Sequence, residues 1–191
     1  SSQEECDSAS GQGVKIRRSI QFFATRHLPS LQISEGAPQG STEGRAAYSG
    51  REYPIIPAAS GEGIALQGEI SDVAQGKNNL ELSYEVSRPF STIYSTPVFE
   101  KKGMGKSSVA YEISIEGATI DCGSALLSID EPYSQIIGFS AVSLGQEKVS
   151  QVKATLTSTG TRLSFLISPL RKGKNALVAV SYTISDESGA L

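Results

Sequence analysis

Three stretches of strict alternation constrain this chain more than anything else in it. Leu80, Leu82, Tyr84 and Val86 alternate with Glu81, Ser83, Glu85 and Ser87. Val109, Tyr111, Ile113 and Ile115 alternate with Ala110, Glu112, Ser114 and Glu116. Ala176, Val178, Val180, Tyr182 and Ile184 alternate with Leu177, Ala179, Ser181 and Thr183. Successive side chains of an extended chain point to opposite sides, so each run is a strand with one face turned inward and one toward water. The last run is apolar on part of both faces, which predicts a central strand.

Weaker runs of the same kind cover Val14–Ala24, Ile64–Ile70, Ser91–Phe99, Ala125–Ile129, Gln135–Leu144, Val149–Thr157 and Leu163–Ser168. Turn residues separate them, among them Gly103-Met104-Gly105, Asp130-Glu131-Pro132, Thr159-Gly160 and Lys172-Gly173-Lys174. Glycine supplies positive φ and proline removes a ladder donor, so both end strands. No window keeps a helical period over three turns. The expectation is an all-β, antiparallel β-sandwich, Ig-like or jelly-roll-like, of about ten strands with little or no helix.

At 191 residues and 38% hydrophobic content, the chain can build a real core. Residues 1–13 are polar and read as a flexible leader, with 14–191 as one domain. Residues 34–63 are rich in Gly, Pro, Ser and Ala around a single apolar knot, Tyr53-Pro54-Ile55-Ile56-Pro57, and read as a long loop that could hold an edge strand, wrap over the sandwich or carry a binding surface.

Charge and composition exclude several functions. Seventeen Lys and Arg against 20 Asp and Glu leave a net charge of −3, which removes the electrostatic case for a nucleic-acid binder. No apolar run approaches the ~20 residues of a membrane helix, so no membrane insertion is expected. One His and two Cys cannot assemble a four-ligand zinc or copper site, and no metal or cofactor is expected. Gly103-Met104-Gly105-Lys106-Ser107 ends like a phosphate loop, but Glu100 stands where the first glycine belongs and a strand follows where a helix is needed. It reads as a hairpin turn carrying lysines. His27 has no nucleophile signature around it and reads as a solvated loop residue. Asp121, Asp130, Glu131, Asp186 and Glu187 form no Asp-x-Asp-x-Asp-Gly loop and read as turn and strand-end residues. The chain is therefore expected not to be an enzyme.

Cys6 and Cys122 could form one disulfide, closing a loop worth on the order of 4 kcal/mol. That bridge, a Ser-rich β composition and the absence of an initiator Met predict an exported protein, extracellular or at the cell surface.

The N-terminal strand carries the most suggestive pattern. Val14, Ile16, Ile20, Phe22 and Ala24 share a face interrupted only by Arg18, and a polar leader precedes them. Strand addition requires such a segment: an extended arm completes a neighbour's sheet through backbone hydrogen bonds and alternate-residue pockets. In composition, size and the layout of this first strand the chain is similar to the mature subunits of chaperone–usher pili. That resemblance implies a structural or adhesive fimbrium-like subunit joined to protein partners, itself included, by a donor strand; the same residues read equally well as an ordinary first strand pairing within its own domain. The alternative is a carbohydrate- or peptide-binding module using loop tyrosines Tyr48, Tyr53, Tyr94 and Tyr133, since the chain has no Trp to serve as a stacking platform.

Overall fold

The computed structural model describes residues 2–5, 8–61 and 63–185, with the side chains of 2–5 and of Ser8 excepted. Among the described residues the chain is all-β, 74% strand and without helix, its antiparallel sheets consistent with a β-sandwich. It divides into two compact units, Ser1–Pro89 and Phe90–Leu191.

The first unit contains β1 (Ser2–Glu5), β2 (Ser8–Ser10), β3 (Gly13–Ala24), β4 (Leu28–Ala37), β5 (Gly44–Tyr48), β6 (Arg51–Ser60), β7 (Gly63–Val73) and β8 (Gly76–Ser87). Seven of these form one antiparallel sheet in the order β1-β3-β8-β5-β6-β7-β4. Its inward face carries Ile16, Ile55, Leu66, Ile70, Leu82 and Val86, all essentially inaccessible. One sheet supplies the whole core because it curls. β3 and β4 are five strand spacings apart in the order, about 24 Å if the sheet were flat. Yet Arg18 of β3 reaches Glu35 of β4 at 2.9 Å and donates to the Gly36 carbonyl at 3.1 Å.

The second unit contains β9 (Ser91–Tyr94), β10 (Val98–Gly103), β11 (Lys106–Glu116), β12 (Ser124–Glu131), β13 (Ile136–Ser143), β14 (Lys148–Thr157), β15 (Gly160–Ser168) and β16 (Ala176–Ser185). One sheet runs β10-β11-β16-β13, with β9 also on β11, and a second runs β14-β15-β12. Ile113, Ile115, Val178 and Val180 line one inner face, and Leu163, Phe165 and Ile167 the other. β16 lies between β11 and β13, the central place its two-sided apolar pattern predicts.

Sixteen strands stand among the described residues where about ten were expected, and the excess has local causes. The polar segment before residue 14 supplies β1, which pairs Ser2–Glu5 with Arg17–Ile20. An edge strand needs no apolar face, so alternation could not reveal it. The run Ser91–Phe99 breaks at Pro97 into β9 and β10. The span 34–63, read as a loop, instead carries the end of β4 and all of β5 and β6. Its prolines are tolerated because β6 changes partner midway: Pro54 lies in the half paired with β5, Pro57 in the half paired with β7, and Ile55 joins both. Each proline thus has one side without a ladder to break. Gly44 is in a strand for a different reason. A Cβ there would stand 2.3 Å from the Ser83 carbonyl oxygen, so only glycine lets β5 approach β8.

Candidate functional site

Val14, Ile16 and Ala24 are buried, and Ile20 and Phe22 are half-buried, on the inner face of the first unit. β3 pairs with β8 over twelve residues, from Gly13↔Ser87 to Ala24↔Gly76. On the other side β1 covers Arg17–Ile20. These five residues therefore build their own unit's core, and their strand is not a free arm in this fold. Arg18, the charge interrupting that face, is accommodated by the Glu35 pair and the Gly36 carbonyl, although its Nε has no hydrogen-bond partner among the described residues.

The four tyrosines separate. Tyr48 is buried; its hydroxyl donates to Asn78 Oδ1 at 2.6 Å and accepts from the Ala74 amide at 3.0 Å, which makes it a structural brace. Tyr53 is half-buried, its hydroxyl against Ser71 Oγ at 3.1 Å. Hydrogen bonding to Ser71 holds that phenol below its ordinary pKa. Tyr94 and Tyr133 belong to the second unit and converge on two tyrosines that alternation had assigned only to the core. Rings of Tyr94 and Tyr111, Tyr111 and Tyr182, and Tyr133 and Tyr182 are each 6.4 Å apart, within the range of favourable aromatic contacts.

Glu131, at the end of β12, meets this row of rings at Tyr111. The Tyr111 hydroxyl donates to its Oε1 at 2.8 Å. Burial, reinforced by the Glu131 carboxylate, pushes both phenols well above their ordinary pKa, so both stay protonated. The Tyr133 carbonyl accepts from Thr161 Oγ1 at 2.7 Å, which fixes the turn after β12. The sequence did single out Glu131 among its carboxylates. Nothing in linear spacing joins it to tyrosines 20 and 51 residues away. Of the other carboxylates, Asp121 accepts the Lys172 amide and Asp130 pairs with Arg162, while Asp186 and Glu187 lie outside the described residues. His27 is exposed and meets Asp72 at 2.9 Å. Cys122 is buried and joined by backbone bonds to Leu170, and Cys6 lies outside the described residues.

The second feature of this unit is an edge. β10 pairs Val98–Lys101 with Ser107–Ala110, and β9 pairs Ser91–Tyr94 with Ile113–Glu116. Ser95 continues the contact, its amide on the Glu112 carbonyl and its Oγ accepting from the Glu112 amide. β9 and β10 thus lie end to end along one side of β11, and no described strand pairs with their outer side. Exposed apolar side chains crowd this margin: Ile93 at 56%, Tyr94 at 47%, Val98 at 66% and Phe99 at 57%. Beyond Phe99 the character changes. Glu100 and Lys102 form an ion pair, and Met104 and Gly105, both at positive φ, turn the β10–β11 hairpin, as the Gly103–Ser107 motif predicts. No protein-family model matches the chain, and no curated protein matches it in sequence.

Proposed function

We propose that this protein is a non-enzymatic, exported structural or adhesive subunit that joins protein partners by β-strand addition. The observation that carries this reading is the β9–β10 margin, a sheet edge with no described strand on its outer side and four exposed apolar side chains. Backbone groups along such an edge offer a ladder to an incoming strand, and alternate side chains give it pockets. The edge is the acceptor. The donor is an extended segment of the partner or of a second copy, because residues 14–24 are engaged within their own sheet. Export is supported by the Ser-rich β composition, and Cys6 and Cys122 are the pair that an oxidising compartment would bridge.

The test is molar mass by light scattering over a concentration series, with the native chain compared with Val98→Lys/Phe99→Lys. Lysine on an edge strand is a standard barrier to sheet extension. Association should weaken at least tenfold in the variant, roughly the 1.4 kcal/mol expected from losing part of two apolar contacts. Unchanged association would reject the edge as the acceptor.

A further inference from the structure

Glu131 has an unusual combination of neighbours. It is half-buried, it takes a hydrogen bond from Tyr111, and the Tyr182 ring stands 6.4 Å from that of Tyr111. No Lys, Arg or His among the described residues stands within ion-pair distance of it. The nearest cation in register is Arg162, but residues alternate across a strand. Asp130, paired opposite Arg162, takes both guanidinium contacts at 2.8 and 3.0 Å, while Glu131 lies opposite Thr161. The result is a carboxylate held at a tyrosine hydroxyl and left without a cation partner among the described residues.

Aromatic faces carry negative potential and attract organic cations, and a carboxylate adds a full opposite charge. Tyr111 and Tyr182 are buried, and Tyr111 meets the carboxylate by its hydroxyl, so the aromatic surface open to a cation is that of Tyr94 and Tyr133. We propose that the Tyr94–Tyr111–Tyr182–Tyr133 arc with Glu131 is a recognition site for an organic cation, a guanidinium or ammonium group. The site shares Tyr94 with the β9 margin but does not depend on strand addition, since a free cation can occupy it with no edge paired.

The probe is N-acetyl-argininamide, whose only charge is its guanidinium, with N-acetyl-leucinamide as the uncharged control. Each is titrated into the full chain while tyrosine ring resonances are followed by NMR. Saturable shifts at Tyr94 and Tyr133 are expected with the arginine probe alone, weakening as salt is raised. Glu131→Gln keeps an acceptor for Tyr111 and should weaken binding about tenfold. Tyr94→Leu, at an exposed position, should weaken it severalfold with an unchanged melting curve, and it serves as the deciding variant if Glu131→Gln fails to fold. A second arm compares an extended peptide bearing one central Arg with its norleucine counterpart. Tighter binding of the Arg peptide than of the free probe assigns the cation to a partner's side chain; equal binding assigns it to a small cation in solution. No saturable shift with either cationic probe overturns the proposal. So do equal shifts with the leucine control, or undiminished affinity in a folded Glu131→Gln or Tyr94→Leu variant.

Discussion

The two units solve the same problem, an apolar strand face that must be covered, in opposite ways. In the second unit two sheets face each other, and Phe165 and Ile113 from different sheets fill one interior. In the first, a single seven-stranded sheet curls until its own two margins nearly meet, and Arg18 spans the gap to Glu35. The sandwich needs only alternation. The curled sheet also needs devices alternation does not encode: a glycine at 44 for close approach, a strand that changes partner between two prolines, and a charge placed within an apolar face. The polar groups differ in the same sense. The second unit buries a tyrosine pair against a carboxylate, whereas the first leaves Tyr53 partly exposed against a serine.

The largest test of this contrast is in the cores. Phe165→Ala should cost about 3–5 kcal/mol, seen as lost amide protection in β11, β12, β15 and β16. Ile16→Ala should cost about 2–5 kcal/mol, seen in β3 and β8. If Ile16→Ala were nearly neutral, the curled sheet would not depend on its inner face.

Next comes the seam. Glu35→Ala removes the acceptor from a guanidinium that is mostly buried and should cost about 1–3 kcal/mol in chemical denaturation. Arg18→Met keeps an apolar stem on an apolar face and should cost less. The reverse order would show that the arginine stem, not its charge pairing, holds the margins together.

Alkaline titration separates the units by sign. Tyr111 and Tyr182 have folded-state pKa values above the unfolded phenol value near 10. The stability they contribute is complete below about pH 10 and is lost as pH rises through and beyond that value. Tyr53 is shifted the other way, so in the first unit it contributes no such loss. Amide protection in β11 and β16 should therefore fall above pH 10, and Tyr111→Phe should flatten that fall. A Tyr111→Phe profile identical to the native one would remove the pair as its cause.

The smallest effect is at the surface. Asp130, although held below its ordinary pKa by Arg162, is an exposed partner screened by water. Asp130→Asn should leave the thermal midpoint unmoved within measurement error; a drop of several degrees would mean that this pair anchors the β12–β15 ladder.

These contrasts also explain what could be read in advance. Nearly every strand of the second unit was legible, because Val109–Ile115 or Leu163–Ser168 carries both the periodicity and the turn residues that end it. β5 and β6 were not, because Gly44, Pro54 and Pro57 resemble loop residues until the neighbouring strands are known. The tyrosine–glutamate arc was legible only in parts. Period two placed Tyr111 and Tyr182 inward, but Glu131 joins them through the packing of one sheet on another. The exposed β9–β10 margin lay within a single run, and exposure at Val98 and Phe99 reflects which strand has no neighbour, a tertiary fact.

The pairing of β3 with β8 has a consequence for synthesis. β4, β5, β6 and β7 can pair among themselves as they emerge from the ribosome, but β3 must wait until residues 76–87 have been made. Throughout that interval the nascent chain carries a strand with only β1 to pair with, at Arg17–Ile20, and its apolar side bears Val14, Ile16, Ile20 and Phe22. Lys15, Arg17 and Arg18 are interleaved with them, charges that discourage premature pairing with other chains. The same arginine that later clasps Glu35 thus serves first as a gatekeeper.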